Sequence, residues 1–310
     1  MEEKIIVGKD SKYPLNGALT IPDGGSAPYP AVVFVHGSGA SDMDSKVYEV
    51  RPFKDLAEGL AGHGIASIRY DKRTFTLNKQ QAKALGGDFT VWEETIEDAI
   101  LAANILKNDP RIDPNRVFIA GLSMGGMLAP RIDAEGGDFA GLIILAGTPR
   151  RLEEVMREQT AEFLRTANPF IRWIGEKQTK KLHEKFDRLY DMSDEEAKRT
   201  PLFGKHNMMY YLKDMGKKPV SAYLEATTKP VLVMQGDGDF HVSVEKDFEE
   251  YQRILQHHPD ATFKLYPGIN HVFMPTVYGD IKKAKKEYSK PQHVVDYVIA
   301  DIAEWVHKHA

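Results

Sequence analysis

The sequence predicts an α/β protein with a mostly parallel central sheet, and two features of its pattern support this. Short apolar segments of strand length alternate with longer segments of helical periodicity along the 310 residues, as happens when crossover helices join parallel strands. The strand-length segments are rich in β-branched residues and nearly continuous in apolarity. Because such strands are typical of a sheet covered on both sides, we expect helices on both faces.

Five core strands and one edge strand are predicted. The core strands are Ala31 to His36, Ile65 to Tyr70, Arg116 to Ala120, Gly141 to Ala146 and Pro230 to Gln235. The segment Thr262 to Tyr266 alternates apolar and polar side chains instead, as expected toward the edge of a sheet. Ahead of these strands, Glu3 to Pro22 is expected to form an antiparallel hairpin through Pro14 to Gly17, which would extend the sheet at one edge.

Amphipathic segments between the strands predict the helices. These segments are Pro52 to His63, Thr90 to Lys107, Met124 to Ala134, Val244 to His257 and Pro291 to His307. Pro52 suits a first helical turn, and Gly62 and Gly64 can end the helix that they follow. The helices therefore supply the connections that a parallel sheet requires.

Residues 148–226 break the alternation of strands and helices. Helical and irregular polar sequence replaces strands there, and aromatic residues such as Phe163, Phe170 and Trp173 are interleaved with charges. The segment is too long for an ordinary connection and long enough for a helical cap. We therefore predict a core of residues 1–147 and 227–310 with a helical cap insertion at 148–226. Its aromatic residues could pack in a core or line the pocket, and their helical spacing favours packing.

Composition is typical of a soluble globular protein and argues against several classes of partner. The chain is 42% hydrophobic and 28% charged, with a formal net charge of -4 and no cysteine. Basic residues are scattered among acidic ones, so no basic stripe for nucleic acid is expected. The absence of cysteine excludes disulfides, thiolate nucleophiles and cysteine-ligated metals.

The pattern of hydrophobicity gives no sign of a membrane partner. No segment approaches the about 18 apolar residues of a membrane span, and the N-terminal residues lack the apolar run of a signal peptide. If Met1 is the native start, we expect a cytoplasmic protein.

The strongest chemical signal is the pentapeptide GLSMG at residues 121–125, which fits the G-x-S-x-G nucleophile elbow. A chance match is the alternative, but the predicted strand before it and the helix beginning near Met124 are the context that the motif requires. A tight strand-to-helix turn exposes a hydroxyl at the end of the sheet, and glycines at 121 and 125 avoid Cβ collisions there. Ser123 is therefore the predicted nucleophile, held in strained backbone geometry.

An acid and a base are expected on loops that follow later strands. Residues 236–241 (GDGDFH) follow one predicted strand and residues 267–273 (PGINHVF) follow the next. We predict that His271 accepts the proton of the nucleophile and that Asp239 orients His271 and stabilises its charged form. Asp237 is the alternative acid, disfavoured because it lies closer to the strand end.

The remaining residues of the predicted site surround the triad. The segment His36-Gly37-Ser38-Gly39 follows the first core strand, and the backbone N–H groups of Ser38 and Met124 are the candidates for an oxyanion hole. A plain turn is the alternative interpretation of this glycine-rich segment. His241 is interpreted as a loop residue lining the pocket, with a role as base less favoured.

Together these residues resemble bacterial α/β-hydrolases of the serine-aminopeptidase-like and carboxylesterase group, close to cinnamoyl and feruloyl esterases. The similarity covers essentially the whole chain. It is most specific at residues 36–39 with Asp42 and Asp44, residues 52–57 (PFKDLA), 69–73 (RYDKR), 121–130 and 236–242. The resemblance implies the α/β-hydrolase fold, a triad of Ser123, Asp239 and His271, a helical cap over the pocket, and hydrolysis of small acyl or aryl esters without cofactor or metal.

Two departures from the pattern of that group leave the substrate open. Leu122 stands where histidine commonly precedes the serine, and Met43 stands where arginine is common. Neither removes a predicted triad member, but both could alter the floor and the charge of the pocket. The RYDKR segment at 69–73 is interpreted as a structural ion-pair network, with substrate binding as the less favoured alternative.

Two other functions remain possible from the sequence. The same triad could hydrolyse peptides or amides, because only the leaving group differs. The chain could also be a catalytically silent protein that binds a small molecule, although an intact nucleophile, acid and base argue against this. No H-E-x-x-H or Walker motif supports a metal hydrolase or a nucleotide-binding protein. The sequence does not predict the natural substrate, the acyl length, the substrate-binding residues or the oligomeric state.

Overall fold

A computed structural model describes residues 1–77, 86–203 and 207–310 and contains a large sheet of eight strands in the order β1-β2-β4-β3-β5-β6-β9-β10. The strands of this sheet are β1 (Glu2–Val7), β2 (Leu15–Thr20), β3 (Tyr29–Val35), β4 (Ala66–Tyr70), β5 (Ile112–Leu122), β6 (Leu142–Leu145), β9 (Val231–Gly236) and β10 (Ala261–Tyr266). A separate antiparallel pair consists of β7 (Pro201–Phe203) and β8 (Asn207–Met208).

The six strands from β4 to β10 in the large sheet are parallel to one another, and β2 joins β4 antiparallel. Successive residues of β3, β6 and β9 are buried, so both faces of the sheet are covered, as the continuous apolar segments predict. Strand β10 lies at one edge and has mostly half-buried residues, in agreement with its alternating sequence. The predicted mostly parallel α/β architecture is therefore confirmed.

The N-terminal hairpin lies at the other edge of the sheet, as predicted, but its turn differs from the predicted one. The turn begins at Gly8, which has φ +63°, and its first hydrogen bond runs from Ser11 N to Gly8 O. Gly17 lies inside β2, where a Cβ would come within 2.8 Å of the carbonyl oxygen of Arg69. This glycine serves close packing against β4 and not a turn.

Helices connect the parallel strands. All five predicted helical segments contain a helix, but two of these helices are preceded by π turns within the predicted range, and the C-terminal helix begins later than predicted. They are α1 (Pro52–Gly62), α2 (Arg73–Thr76), α3 (Glu97–Lys107), α4 (Met124–Ile132), α5 (Leu152–Thr166), α6 (Pro169–Asp187), α7 (Asp194–Arg199), α8 (Met209–Gly216), α9 (Val220–Leu224), α10 (Glu249–Ile254), α11 (Ala284–Tyr288) and α12 (Asp296–Lys308). Short 3₁₀ turns span Gly86–Asp88 and Ile281–Lys283, and π turns span Trp92–Ile96, Asp133–Gly137 and Val244–Phe248.

Helix α12 begins at Asp296 and not at Pro291 because the preceding backbone is bound elsewhere. The N–H of Val294 donates to the carboxylate of Asp55, and the N–H of Val295 donates to the carbonyl of Phe273. These tertiary hydrogen bonds fix an irregular segment where the sequence pattern alone predicts helix.

The chain divides into two compact units. The larger comprises Met1–Thr76, Glu94–Pro149 and Tyr223–Ala310, and the smaller comprises Leu77–Glu93 and Arg150–Ala222. The described residues 77 and 86–93 group with the smaller unit, and the division at 147 and 226 stays a prediction. No helix within the described ranges is both long and apolar enough to cross a bilayer.

The smaller unit has an apolar cluster of its own, but several of its aromatic side chains lie outside it. The cluster contains Leu182, Phe186, Leu189, Met192, Ala197, Met209 and Leu212. Phe163, Phe170 and Trp173 are exposed, with 54%, 69% and 71% of their surface accessible. The expectation that these three aromatic residues pack internally is wrong.

In the larger unit, side chains of β3, β5, β6 and β9 pack with α1 and α12 in one continuous core. Phe34 of β3 stacks on Phe53 of α1 with ring centroids 5.1 Å apart, and Trp305 of α12 meets Phe118 of β5 edge to face at 5.7 Å. A Cβ on Gly141 would come within 2.8 Å of the Trp305 ring. The large indole therefore fills the space that this glycine leaves.

We expect Trp305→Ala to lower the free energy of unfolding by about 3 to 5 kcal/mol, because it removes apolar contacts and leaves a cavity. Urea unfolding measures the change. Glu304→Ala is the control, because the adjacent Glu304 is exposed on the same helix and its loss should change stability by less than about 0.5 kcal/mol. Equal effects of the two substitutions would contradict the packing described.

Candidate active site

Ser123 lies at the turn between β5 and α4, in the strained conformation that the elbow motif predicts. Its φ of 57° and ψ of -116° place it in a region that side-chain-bearing residues rarely adopt. A Cβ on Gly121 would collide with the backbone of Gly125, and one on Gly125 would collide with the carbonyl oxygen of Val35. Both glycines are therefore required sterically, as expected.

Two further loops lie at the carboxyl ends of β9 and β10 and are joined by their backbones. A Cβ on Gly236 would collide with the carbonyl oxygen of Ile269, so the loops approach as closely as glycine permits. The N–H of Gly238 donates to that same carbonyl at 2.9 Å. Asp237 accepts a hydrogen bond from Gly268 N at 2.6 Å through its side chain. The two loops consequently form one hydrogen-bonded platform.

The platform brings Asp239 and His271 together. Oδ2 of Asp239 lies 2.7 Å from Nδ1 of His271, and the carboxylate side chain is fully buried. The other oxygen, Oδ1, accepts hydrogen bonds from the N–H groups of His241 at 2.7 Å and Val242 at 3.1 Å. A carboxylate held in this way can fix one tautomer of the imidazole and stabilise a positive charge on it.

A buried carboxylate, Glu287, holds the loop that carries His271. Its oxygens accept hydrogen bonds from the backbone N–H groups of Val277 at 2.9 Å and Tyr278 at 2.8 Å and from the side chain of Thr276 at 3.2 Å. The side chain of Asn270, the neighbour of His271, also reaches it. No local pattern in the sequence points to Glu287, because its partners lie up to 17 residues away.

Hydrogen bonds link the predicted base to the predicted acid, but not to the predicted nucleophile. Among the bonds of the described residues, none joins Ser123 Oγ to the imidazole of His271. Both residues follow strands of one parallel sheet, at its carboxyl end. The pairing of nucleophile and base thus stays a prediction from their placement, and such bonds are often long without substrate.

His241 lies beside His271, with ring centroids 4.8 Å apart. Burial, with a smaller contribution from the neighbouring His271, lowers the pKa of His241 to about 4, although Asp239 opposes this shift. The ring is therefore neutral near neutral pH. A neutral His241 ring lies beside His271 without taking up a proton near neutral pH. This agrees with the interpretation of His241 as a lining residue.

The loop after β3 lies against the elbow. A Cβ on Gly37 would come within 3.2 Å of Cβ of Ser123. His36, at the start of the loop, is buried, and its Nε2 lies 2.6 Å from the carbonyl oxygen of Tyr70. Burial lowers the pKa of His36 to about 4, so this imidazole is a neutral anchor. Ser38 itself is exposed, whereas Met124, the other predicted oxyanion donor, is buried at the start of α4.

The cations of the RYDKR segment are buried and form ion pairs. Arg69 pairs with Glu2 and Asp44, Lys72 pairs with Glu94, and Arg73 pairs with Glu97 and Asp98. Burial raises the pKa of Asp98 to about 7, although Arg73 opposes this shift. These contacts favour the interpretation as a structural network. Among the described residues, no group of three or more His, Asp or Glu side chains is arranged to hold a metal ion.

Comparisons of the sequence identify related proteins. Residues 26–275 match the family described as Hydrolase_4, serine aminopeptidase, S33. Esterase EstD of Thermotoga maritima is 36% identical over 298 residues, which are 95% of this chain and 66% of EstD. The chain thus spans slightly less than two thirds of the length of that relative.

Comparisons of the structure identify the same fold. Est1E from Butyrivibrio proteoclasticus superposes with a TM-score of 0.60 at 16% identity, covering 99% of this chain and 98% of that chain. Proline iminopeptidase of Mycobacterium smegmatis superposes with a TM-score of 0.60 at 17% identity, covering 100% and 98%. The α/β-hydrolase fold and the group resemblance expected from the sequence are confirmed.

We expect Glu287→Gln to destabilise the protein at pH 7 by about 1 to 3 kcal/mol, because a neutral amide accepts these hydrogen bonds less well. Burial raises the pKa of Glu287, but the hydrogen bonds it accepts hold that pKa below its ordinary value of 4.5. Its contribution is therefore present above about pH 4.5 and is lost as the pH falls through the folded-state value.

Guanidinium unfolding at pH 7 and at several values below pH 4.5 measures this dependence. The difference in stability between wild type and Glu287→Gln should shrink as the solution is acidified. Glu304→Gln, at an exposed carboxylate, should show no such difference at either end of the range. A gap between wild type and Glu287→Gln that is constant with pH would contradict a charged Glu287 in the fold.

Proposed function

The chain belongs to the serine aminopeptidase S33 family, and we propose that it hydrolyses small carboxylic esters through an acyl-enzyme intermediate on Ser123. Asp239 and His271 complete the proposed triad, and the backbone N–H groups of Ser38 and Met124 form the proposed oxyanion hole. The substrate is a small molecule with an acyl or aryl ester. We further propose that residues 148–226 are a helical insertion in the hydrolase core formed by residues 1–147 and 227–310.

The observation that carries this proposal is the buried Asp239–His271 pair at the same end of the sheet as the strained Ser123. The 2.7 Å contact to Nδ1 directs the opposite ring nitrogen, Nε2, away from the carboxylate. A serine forced into positive φ between two sterically required glycines has few structural uses other than presenting its hydroxyl. The name of the 36% identical relative, esterase EstD, favours an ester as the substrate.

The reaction then proceeds in two halves. Ser123 Oγ attacks the ester carbonyl carbon while its proton passes to His271 Nε2, and the negative charge that develops on the carbonyl oxygen meets the N–H donors. Collapse of this intermediate releases the alcohol, which takes the proton from His271. Water next attacks the acyl group on Ser123 with His271 again as base, and the carboxylic acid leaves. Asp239 stabilises the imidazolium in each half.

Amide or peptide hydrolysis by the same residues is the second candidate. The family description names a serine aminopeptidase, and the fold is shared with a proline iminopeptidase. The two reactions differ in the leaving group, since an amine must be protonated before it departs whereas an alkoxide of low basicity need not be. Comparing kcat/KM for p-nitrophenyl acetate and butyrate with that for aminoacyl p-nitroanilides separates them, and faster turnover of the anilides would overturn the ester assignment.

We expect Ser123→Ala to reduce kcat for p-nitrophenyl acetate by about five to six orders of magnitude, because the attacking oxygen is removed from residues that act as a unit. The variant should also fail to react with a fluorophosphonate probe, while its circular dichroism spectrum stays that of wild type. Ser289→Ala, at an exposed serine of the same unit, is the control and should keep full activity. Labelling of Ser123→Ala would point to another nucleophile, and an unlabelled wild type would favour a silent binding protein.

Two carboxylates of one loop provide a matched test of the proposed acid. Asp239→Asn should lower kcat by about 10⁴-fold, because the amide no longer holds the tautomer that accepts the serine proton. Asp237→Asn should change kcat by less than about threefold, because an amide oxygen can still accept the hydrogen bond from Gly268 N that Asp237 accepts. Steady-state kinetics of both variants decide, and the reverse order of effects would transfer the role to Asp237.

A further inference from the structure

Lys72 is a buried cation beside the loop that carries the proposed oxyanion donor Ser38. Only 2% of its side chain is exposed, and its Nζ lies 3.3 Å from Oε1 of Glu94, which is also buried. The same Nζ donates a hydrogen bond of 2.8 Å to the carbonyl oxygen of Gly37. A positive charge therefore reaches the backbone of this loop out of contact with water.

The carbonyl that Lys72 binds belongs to the same peptide group as the N–H of Ser38. In a planar trans peptide the C=O and the N–H point in opposite directions. Binding of the Gly37 oxygen on one side therefore directs the Ser38 N–H to the other, and none of the described hydrogen bonds uses that N–H. Gly37 also lies against Ser123, as the 3.2 Å approach of a Cβ placed there indicates.

The segment around Lys72 holds other parts of the same loop. The N–H of Lys72 donates to the carbonyl of Ser41 at 2.9 Å. The N–H of Met43 donates to Oδ1 of Asp71 at 2.8 Å. The loop from Gly37 to Met43 thus contacts the end of β4 at three points, and the contact of the Lys72 side chain is the one at the proposed oxyanion donor.

We propose that Lys72 is a positioning residue that orients and polarises the Gly37–Ser38 peptide, so that the Ser38 N–H stabilises the oxyanion of the tetrahedral intermediate. The proposal rests on the proposed function. An ammonium at the carbonyl oxygen draws electron density from the amide and increases the positive charge on its N–H. The negative charge on the carbonyl oxygen develops only during attack on the ester. The added positive charge on the N–H therefore stabilises the transition state more than the bound substrate.

Two neighbouring cations, Arg69 and Arg73, form ion pairs but make no described hydrogen bond to the backbone of the loop. Arg69 and Arg73 are as buried as Lys72. Their described side-chain partners are carboxylates, a threonine and the ring of Tyr13, with no backbone group of the loop. Burial lowers the pKa of Lys72, and Glu94 opposes this shift. Glu94 thus helps to keep the ammonium charged where it touches Gly37. Arg73 is consequently a matched control for loss of a buried cation.

The test compares wild type, Lys72→Met, Lys72→Gln and Arg73→Met. For each, kcat and KM with p-nitrophenyl acetate, the rate of labelling of Ser123 by a fluorophosphonate, and Tm are measured. Removing an oxyanion donor itself costs about 10² to 10³ in kcat, so we expect Lys72→Met, which keeps the donor, to lose about 10- to 100-fold. Its KM should change less than about threefold, and its labelling should slow in parallel with kcat.

The other variants separate positioning from stability. Lys72→Gln can still donate to Gly37 without a charge, so its kcat should lie between those of wild type and Lys72→Met, with KM unchanged. Arg73→Met should lower Tm while kcat stays within about threefold of wild type. If Lys72→Met does not fold, Lys72→Gln decides in its place.

Each contrary result has a distinct meaning. A folded Lys72→Met, or in its place Lys72→Gln, with the kcat of wild type overturns the proposal. So does an Arg73→Met that loses as much kcat as Lys72→Met, because general loosening then explains the effect. If wild type reacts with the probe but turns over no ester, the proposed substrate class fails while the labelling rates still test Lys72. A wild type that neither turns over ester nor reacts overturns both proposals.

Discussion

The proposed site depends on a close backbone contact between the elbow and strand β3. Any side chain at Gly125 would collide with the carbonyl oxygen of Val35, and one at Gly121 would collide with the backbone of Gly125. Glycine at both positions lets the chain leave β5 and enter α4 at once, with Ser123 held at positive φ between them. The same contact places Gly37 against Ser123. The nucleophile and the loop of the proposed oxyanion donor are therefore one packed unit, and displacement of either would disturb the other.

Buried charges help to fix the loops beyond the strand ends. Glu287 binds the backbone of the loop after His271, and Lys72 binds the backbone of the loop after β3. Removing a charge from water costs several kcal/mol, so such groups are a poor way to gain stability. Buried charges do, however, fix the positions of the groups that they bind. A desolvated charge that loses one of its hydrogen-bonding partners is strongly destabilised. In the larger unit, buried charged residues thus lie where loop geometry matters for the proposed chemistry.

Local sequence signals predicted the parts of the fold that local physics determines. Continuous apolar segments located five of the six parallel strands, an alternating segment located β10, and the elbow motif predicted the strained turn at Ser123. What failed depends on contacts distant in sequence. The start of α12 is set by hydrogen bonds to Asp55 and Phe273, and Gly17 packs against β4 where it resembled a turn residue. Phe170 is exposed and Glu287 is buried, and no local sequence pattern indicates either environment. Only the folded structure shows where these two side chains lie.

Asp237 and Asp239 show how two identical side chains in one loop can have different surroundings. The close approach of Gly236 to Ile269 brings the start of the loop against its neighbour, so Asp237 meets a backbone N–H there and remains exposed. Two residues later the chain has turned inward, and the Asp239 side chain is fully buried against His271. A buried carboxylate interacts with a developing imidazolium far more strongly than one facing water, because less solvent screens it. The sequence-based preference for Asp239 rested on its greater distance from the strand end. That distance matters because it allows the Asp239 side chain to be buried.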